Sequence, residues 1–173
     1  MKADLYQKIV AHILENQNKF YRLAYSYVRN QEDALDVVQN SVCKALEYYG
    51  DLKNENAVKT WMYRIIVNES LHMIKERNKT SLMKEKEEKE LIYEEKGFDI
   101  HDNLYEHINR LDEDVQTVIK LRFYEDMPLK EIAEVMNMNL STTKSKLYRG
   151  LQSLKLSMKE EDDESFRRCK EGL

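Results

Sequence analysis

The chain has 173 residues, of which 42% are apolar, enough for one ordinary domain or two small ones and too many for a wholly disordered chain. Four glycines and a single proline are too few for a fold of hairpins and sheets, so composition points to helices. No apolar run of about 18 residues occurs and the N-terminus lacks a signal segment, which predicts a cytoplasmic protein with no membrane insertion.

The first predicted helix carries Leu5, Ile9 and Ile13 every four residues, then Phe20, Leu23, Ala24, Tyr27 and Val28, with a polar patch at 16–19 as a candidate break. Asn30 is an N-cap candidate, followed by Glu32 and Asp33 in the first turn, where acids suit the helix dipole. The helix it opens places Ala34, Val38, Val42, Ala45 and Tyr49 on one face, with Cys43 read as a small core residue and Gly50 as the stop. After the polar loop DLKNENA, a helix over about 57–78 has Val58, Trp61, Met62, Ile65 and Ile66 on its apolar side. These segments can close into a bundle.

Residues 80–102 hold eight acids against four lysines and few apolar anchors, the composition of a solvated linker. Helices are then predicted over 103–111 and 112–125. Pro128 opens PLKEIAEVM, where its missing N–H costs nothing. The turn NMN leads into LSTTKSKLYRGLQSLK, with Ser141 as candidate cap and Leu147, Leu151 and Leu154 as the buried stripe. The fold class expected is all-α: two small helical domains joined by an acidic linker, the second a helix-turn-helix. The expected boundaries are 1–79, 80–102 and 103–158, with a charged tail at 159–173.

A formal charge of −4 argues at first against a nucleic-acid binder, but its distribution matters more than its total. Residues 137–156 carry Lys144, Lys146, Arg149 and Lys155 with no acid, and residues 59–79 hold five bases against two acids. The short helix, three-residue turn and second helix over 128–154 have helix-turn-helix spacing, with Ala133 small enough for helices to cross closely. Thr142, Thr143, Lys144, Lys146 and Arg149 are the candidate exposed residues of the second helix, suited to phosphates and base edges in a major groove. His12, His72, His101 and His107 and the distant pair Cys43 and Cys169 form no ligand spacing, so no metal or cofactor is expected. With no glycine-rich phosphate loop or nucleophile elbow, no catalytic residue and no enzyme activity are expected either.

The segment INRLDEDVQTVIKLRFYEDMPLKEIAEVMNMNLSTTKSKLYRGLQSLK resembles the C-terminal domain of extracytoplasmic-function sigma factors of the bacterial sigma-70 family. NQEDALDVVQNSVCKALEYY followed by VKTWMYRIIVNESLHMIKERNK resembles the domain of that family that binds polymerase and melts the −10 element. Together these cover most of residues 20–156. The resemblance implies a sigma factor that directs core RNA polymerase to specific promoters, under control of a membrane-anchored anti-sigma factor. Asp33, Asp36, Gln39 and Asn40 would dock on the clamp helices of the polymerase's largest subunit, through charge-assisted bonds. Asn40 stands where an acid is common in the family, and His72 where Asp or Asn is common. The loop Asp51 to Ala57 would hold a flipped base, with Asn54 and Asn56 reading its edges. Tyr63, Arg64 and Asn68 would face the non-template strand, with Trp61 read as core, and Lys75, Arg77 and Lys79 would track phosphates. Thr142 to Arg149 would read the −35 element. Asn137 replaces a frequent glycine, which its tolerance of the left-handed conformation allows. The alternative that the residues leave open is a stand-alone helix-turn-helix regulator with an N-terminal helical sensor or dimerisation domain.

Overall fold

A computed structural model describes residues 2–84 and 100–171, and all regular structure among them is helical. In chain order the helices are α1 (Lys2–Val28), α2 (Gln31–Glu47), α3 (Val58–Lys84), α4 (Ile100–Asn109), α5 (Glu113–Phe123), α6 (Leu129–Met136) and α7 (Leu140–Glu171). Two single turns of 3-10 helix, Tyr49–Asp51 and Glu55–Ala57, lie between α2 and α3. The chain divides into two compact units, one of residues 1–94 with 134–137, built on α1 to α3, and one of residues 95–133 with 138–173, built on α4, α5 and α7 with the start of α6. The expected acidic linker is helical over 80–84 and again from Ile100, while residues 85–99 lie outside the described part. The expected charged tail is helical as far as Glu171, a continuation of α7.

In the first unit the three helices pack on one another around Ile9, Phe20, Leu23, Ala24, Val37, Ala45, Met62 and Ile66, all essentially without solvent contact. Burying side chains of this size stabilises by about 1.5–3 kcal/mol each for the large ones. The ring of Phe20 meets Tyr63 edge to face, centroids 5.4 Å apart. α1 is unbroken across 16–19. Ile13 and Phe20, both buried, bracket the patch at seven residues' spacing, so the polar residues merely occupy the outer face of a continuous helix.

The α1–α2 turn is built as the sequence suggested. Asn30 caps α2, its Oδ1 accepting the Asp33 N–H at 2.8 Å, while its Nδ2 donates to the Asp33 carboxylate at 2.7 Å. Arg29 before it is left-handed, φ 60°. α2 ends earlier than expected: Tyr48 is its C-cap, and Gly50 lies in the following 3-10 turn without a positive φ. The buried face of α2 is Ala34, Val37, Ser41 and Ala45, so the expected stripe is rotated. Ser41 fits there because its hydroxyl donates to Val37 O at 2.7 Å.

In the second unit α5 and α7 form the main pairing. A Cβ built at Gly150 would lie 2.5 Å from Val115 Cγ1 and 2.8 Å from Ile119 Cδ1, so α7 approaches α5 at this glycine more closely than any side chain allows. The core stripe of α7 is Thr143, Leu147, Gly150 and Leu154, with Leu151 only half-buried. The cap of α7 is Asn139 rather than Ser141: its Oδ1 accepts the Thr142 N–H at 2.7 Å. Asn137 in the preceding turn is left-handed, φ 52°, the conformation for which asparagine substitutes for glycine.

Candidate promoter-recognition surfaces

On the first unit the candidate residues fall on three surfaces. The first lies along α2. Asp36, Gln39 and Asn40 are exposed, as is Leu35, and Val38 and Val42 are half-exposed beside them. Leu35, Val38, Gln39 and Val42, with Ile13, Leu14, Gln17, Asn18 and Tyr21 of α1, border an apolar groove of about 560 Å³, and Cys43 lies on its rim. Cys43 is therefore exposed, not a core residue. The i, i+4 repeat of Val38 and Val42 signalled this groove, and the buried stripe runs beside it. Asp33 does not share that open face. Its carboxylate accepts from Asn30 and from Arg77 Nη1 at 2.9 Å, bonds that hold it below the usual carboxylate range, Asn30 contributing most.

The second surface is the loop between α2 and α3. Asn54 and Asn56 are exposed, but Asn54 Oδ1 accepts the Asn56 backbone N–H at 3.0 Å and so shapes the loop. The side chain of Asn56 is exposed on the same loop.

The third surface is one face of α3. Tyr63 is not on it: the ring is 3% exposed and belongs to the core. Trp61, read as core from its apolar neighbours, is instead half-exposed. With Ile65, Asn68, His72, Lys75 and Lys79 it forms a stripe at three- and four-residue spacing, beside the exposed Arg64. The sequence carried the signal in that spacing, but a half-buried helix side with an indole in it reads equally well as core. Arg77 lies off this stripe. Its Nη1 donates to Val28 O at 2.9 Å as well as to Asp33, closing the α1–α2 turn.

On the second unit, α7 presents Thr142, Lys144, Ser145, Tyr148, Arg149, Gln152 and Lys155 to solvent. Thr143 is a correction. It is fully buried, and its hydroxyl donates to Asn139 O at 3.0 Å. Lys146 is half-buried and paired with Asp114 of α5 at 3.4 Å. The residue that the helical reading passed over is Tyr148, 65% exposed among bases where a core aromatic would be hidden. Further along, where α4 packs on α7, His107 Nε2 lies 3.0 Å from a Glu161 carboxylate oxygen, with Arg110 3.8 Å from the other. Asn103, then His107, hold Glu161 below the usual carboxylate range.

Among the described residues no group of His, Cys, Asp and Glu is placed to hold a metal, and no helix is long and apolar enough to cross a membrane. Two surfaces, a helical platform carrying the half-exposed Trp61 in line with Asn68 and lysines and a capped basic helix behind a tight turn, have the character of a helical DNA-binding factor. The match to known families makes this specific. Residues 12–80 match the family model of sigma-70 region 2, and residues 101–154 match that of sigma-70, region 4. RNA polymerase sigma factor SigV of Bacillus subtilis is 36% identical over 157 residues, covering 89% of this chain and 93% of the relative. The ECF RNA polymerase sigma-E factor of Haemophilus influenzae is 29% identical over 153 residues, covering 80% of each. The chain belongs to the sigma-70 family and is an RNA polymerase sigma factor of the extracytoplasmic-function type. The fold is also that of the sigma factor RpoE solved with the anti-sigma factor NepR from Bartonella quintana (TM-score 0.67, 19% identity, 86% of this chain and 95% of that one). It is likewise that of CnrH solved with the cytosolic domain of CnrY (TM-score 0.70, 16% identity, 92% and 95%). A stand-alone helix-turn-helix regulator is not favoured, because the N-terminal unit matches region 2 rather than a sensor or dimerisation domain.

Proposed function

We propose that this sigma factor directs core polymerase to its promoters by a division of labour between its two units, residues 1–79 and 103–158, joined by the acidic segment 80–102. The exposed acid and amide row Asp36, Gln39 and Asn40, with the apolar groove beside it, docks on the clamp helices of the largest polymerase subunit. A mixed surface of this kind suits a basic amphipathic helix, which buries its apolar side in the groove while its cations meet the rim. Asp33 supports that face from beneath by anchoring the N-terminus of α2.

The loop 51–57 receives a base flipped from the opening −10 duplex, with Asn56 reading its edge and Asn54 shaping the loop around it. Trp61, Arg64 and Asn68 face the non-template strand, and Lys75 and Lys79 follow its phosphates. A half-exposed indole near cations supplies the stacking and charge that single-strand binding needs. Arg77 acts on the same surface indirectly, by fixing the turn that α3 packs against.

Thr142, Lys144, Ser145, Tyr148 and Arg149 enter the major groove of the −35 element, hydroxyls and cations on phosphates and base edges and Tyr148 against apolar base edges. Lys146 orients α7 on α5 through Asp114. The single observation that carries this reading is the acid-free exposed face of α7 over residues 140–156, begun by the Asn139 cap behind a left-handed turn. The protein works in the cytoplasm without inserting in the membrane, needs no cofactor, and leaves catalysis to polymerase. A membrane-anchored anti-sigma factor controls it by masking both units, a reading supported by two fold relatives, one solved with an anti-sigma factor and the other with the cytosolic domain of CnrY. Run-off transcription with purified core enzyme tests the whole: promoter-dependent transcripts are expected only when the factor is added. No transcript from any promoter of its own genome would refute it.

A further inference from the structure

The loop that follows α2 is fastened at both ends to the first turns of α1. Near its start, the Tyr49 ring meets Tyr6 edge to face, centroids 5.3 Å apart at 75°. Near its end, Glu55 Oε2 lies 2.5 Å from Lys8 Nζ. Lys8 is also 3.4 Å from Asp4, one turn back on the same helix. Leu5 and Ile9, which alternate with these residues, are buried, so the helix turn that presents Tyr6 and Lys8 is itself fixed by the core. Between the two fastenings the loop closes on itself. Leu52 N–H donates to Tyr49 O at 3.3 Å, Ala57 N–H to Asn54 O at 2.9 Å, and Asn56 N–H to the Asn54 side chain. Asn56 is thus the neighbour of the residue that Lys8 grips.

From these contacts we infer that Lys8 is a positioning residue for base capture: with Tyr6 it holds the loop 49–57 in one conformation, so that Asn56 meets the flipped base without first being ordered. The inference rests on the reading of this loop as the base-holding one. A flexible loop must lose conformational freedom when it closes on a base, whereas a pinned loop has already lost it. Glu55 above all, and Asp4, hold the Lys8 ammonium above its usual range. Both partners are about half-exposed, which makes this a modest, salt-sensitive tie and not a determinant of folding.

The test uses holoenzyme assembled from core polymerase and full-length factor, with 2-aminopurine at the flipped position of the −10 non-template strand. Lys8→Glu is expected to lower the flipped fraction and open-complex yield about two- to fivefold at low salt, the range an exposed ion pair spans. The loss should shrink as salt is raised. Lys8→Arg should retain the signal, and the reversed pair Lys8→Glu with Glu55→Lys should restore it. Thermal stability, affinity for core and binding to −35 DNA should all be unchanged, which a general structural defect would not allow. Unchanged flipping in Lys8→Glu, or no rescue by the reversed pair, overturns the inference. Asn56→Ala separates the two levels. If it lowers flipping while Lys8→Glu does not, the inference alone fails; if it has no effect, the base-capture reading fails and takes the inference with it.

Discussion

A Cβ at Gly150 would press into Val115 and Ile119 from inside van der Waals contact, and the β-branched valine has little freedom to turn away. Gly150→Ala gains about 1 kcal/mol of helix propensity. Against that stands an overpacking cost of about 1–3 kcal/mol. Net destabilisation of about 1 kcal/mol is therefore expected in urea unfolding, and Val115→Ala in the same chain should recover part of it. At the other end of the same stripe, Asn139 and Ser141 compete for one role. Asn139→Ala is expected to cost about 1 kcal/mol through loss of the cap, and Ser141→Ala close to nothing. A larger loss for Ser141→Ala would mean that the cap is misassigned. These residues also mark the limit of reading single positions. Thr143 and Thr142 are chemically identical neighbours, and only the phase of α7 against α5 buries one and exposes the other. That phase is set by Gly150, whose importance no periodicity of side chains can reveal because it has none.

At the scale of elements, the α1–α2 turn shows how functional-looking residues become structural. Asp33 and Arg77 carry the charges that a polymerase or phosphate contact needs, yet they meet each other and Val28 O across the turn. Arg77→Ala is expected to cost about 1 kcal/mol of stability, discounted because the guanidinium is half-exposed. Asp33 is depressed in the folded state, so its contribution is present above the unfolded carboxylate pKa of about 3.9 and is lost as pH falls through the folded value below it. Acid unfolding followed by circular dichroism should thus begin at higher pH in Asn30→Ala, which removes the largest cause of the depression, than in Arg77→Ala. The reverse order would assign the dominant bond to Arg77. The sequence made Asn30, Glu32 and Asp33 legible as a helix start, because capping is local. It could not show that a residue 44 positions away completes the cap.

For the whole molecule, a formal charge of −4 sets a background that opposes DNA, and the bases of α7 and α3 act against it only at close range. Lys144→Ala and Arg149→Ala are each expected to weaken −35 binding of the holoenzyme and to reduce the slope of log affinity against log salt by about one. Lys146→Ala should change the slope less, since its charge is already balanced by Asp114. A full loss of slope at Lys146 would place it on the phosphates instead. The amino-acid sequence by itself determined the helical class, the two-part order, the helix-turn-helix and the family. Each of these rests on local periodicity, turn chemistry and motif order, which the chain carries without reference to its own packing. Only the tertiary structure decided which side of each helix is buried: that Tyr63 and Thr143 are core, that Trp61 and Tyr148 are not, and that Val38 and Val42 line a groove. A helix repeats every 3.6 residues, so a shift of one position turns a side chain by about 100°. Neighbouring helices choose between such phases, and no single helix holds the information to do so.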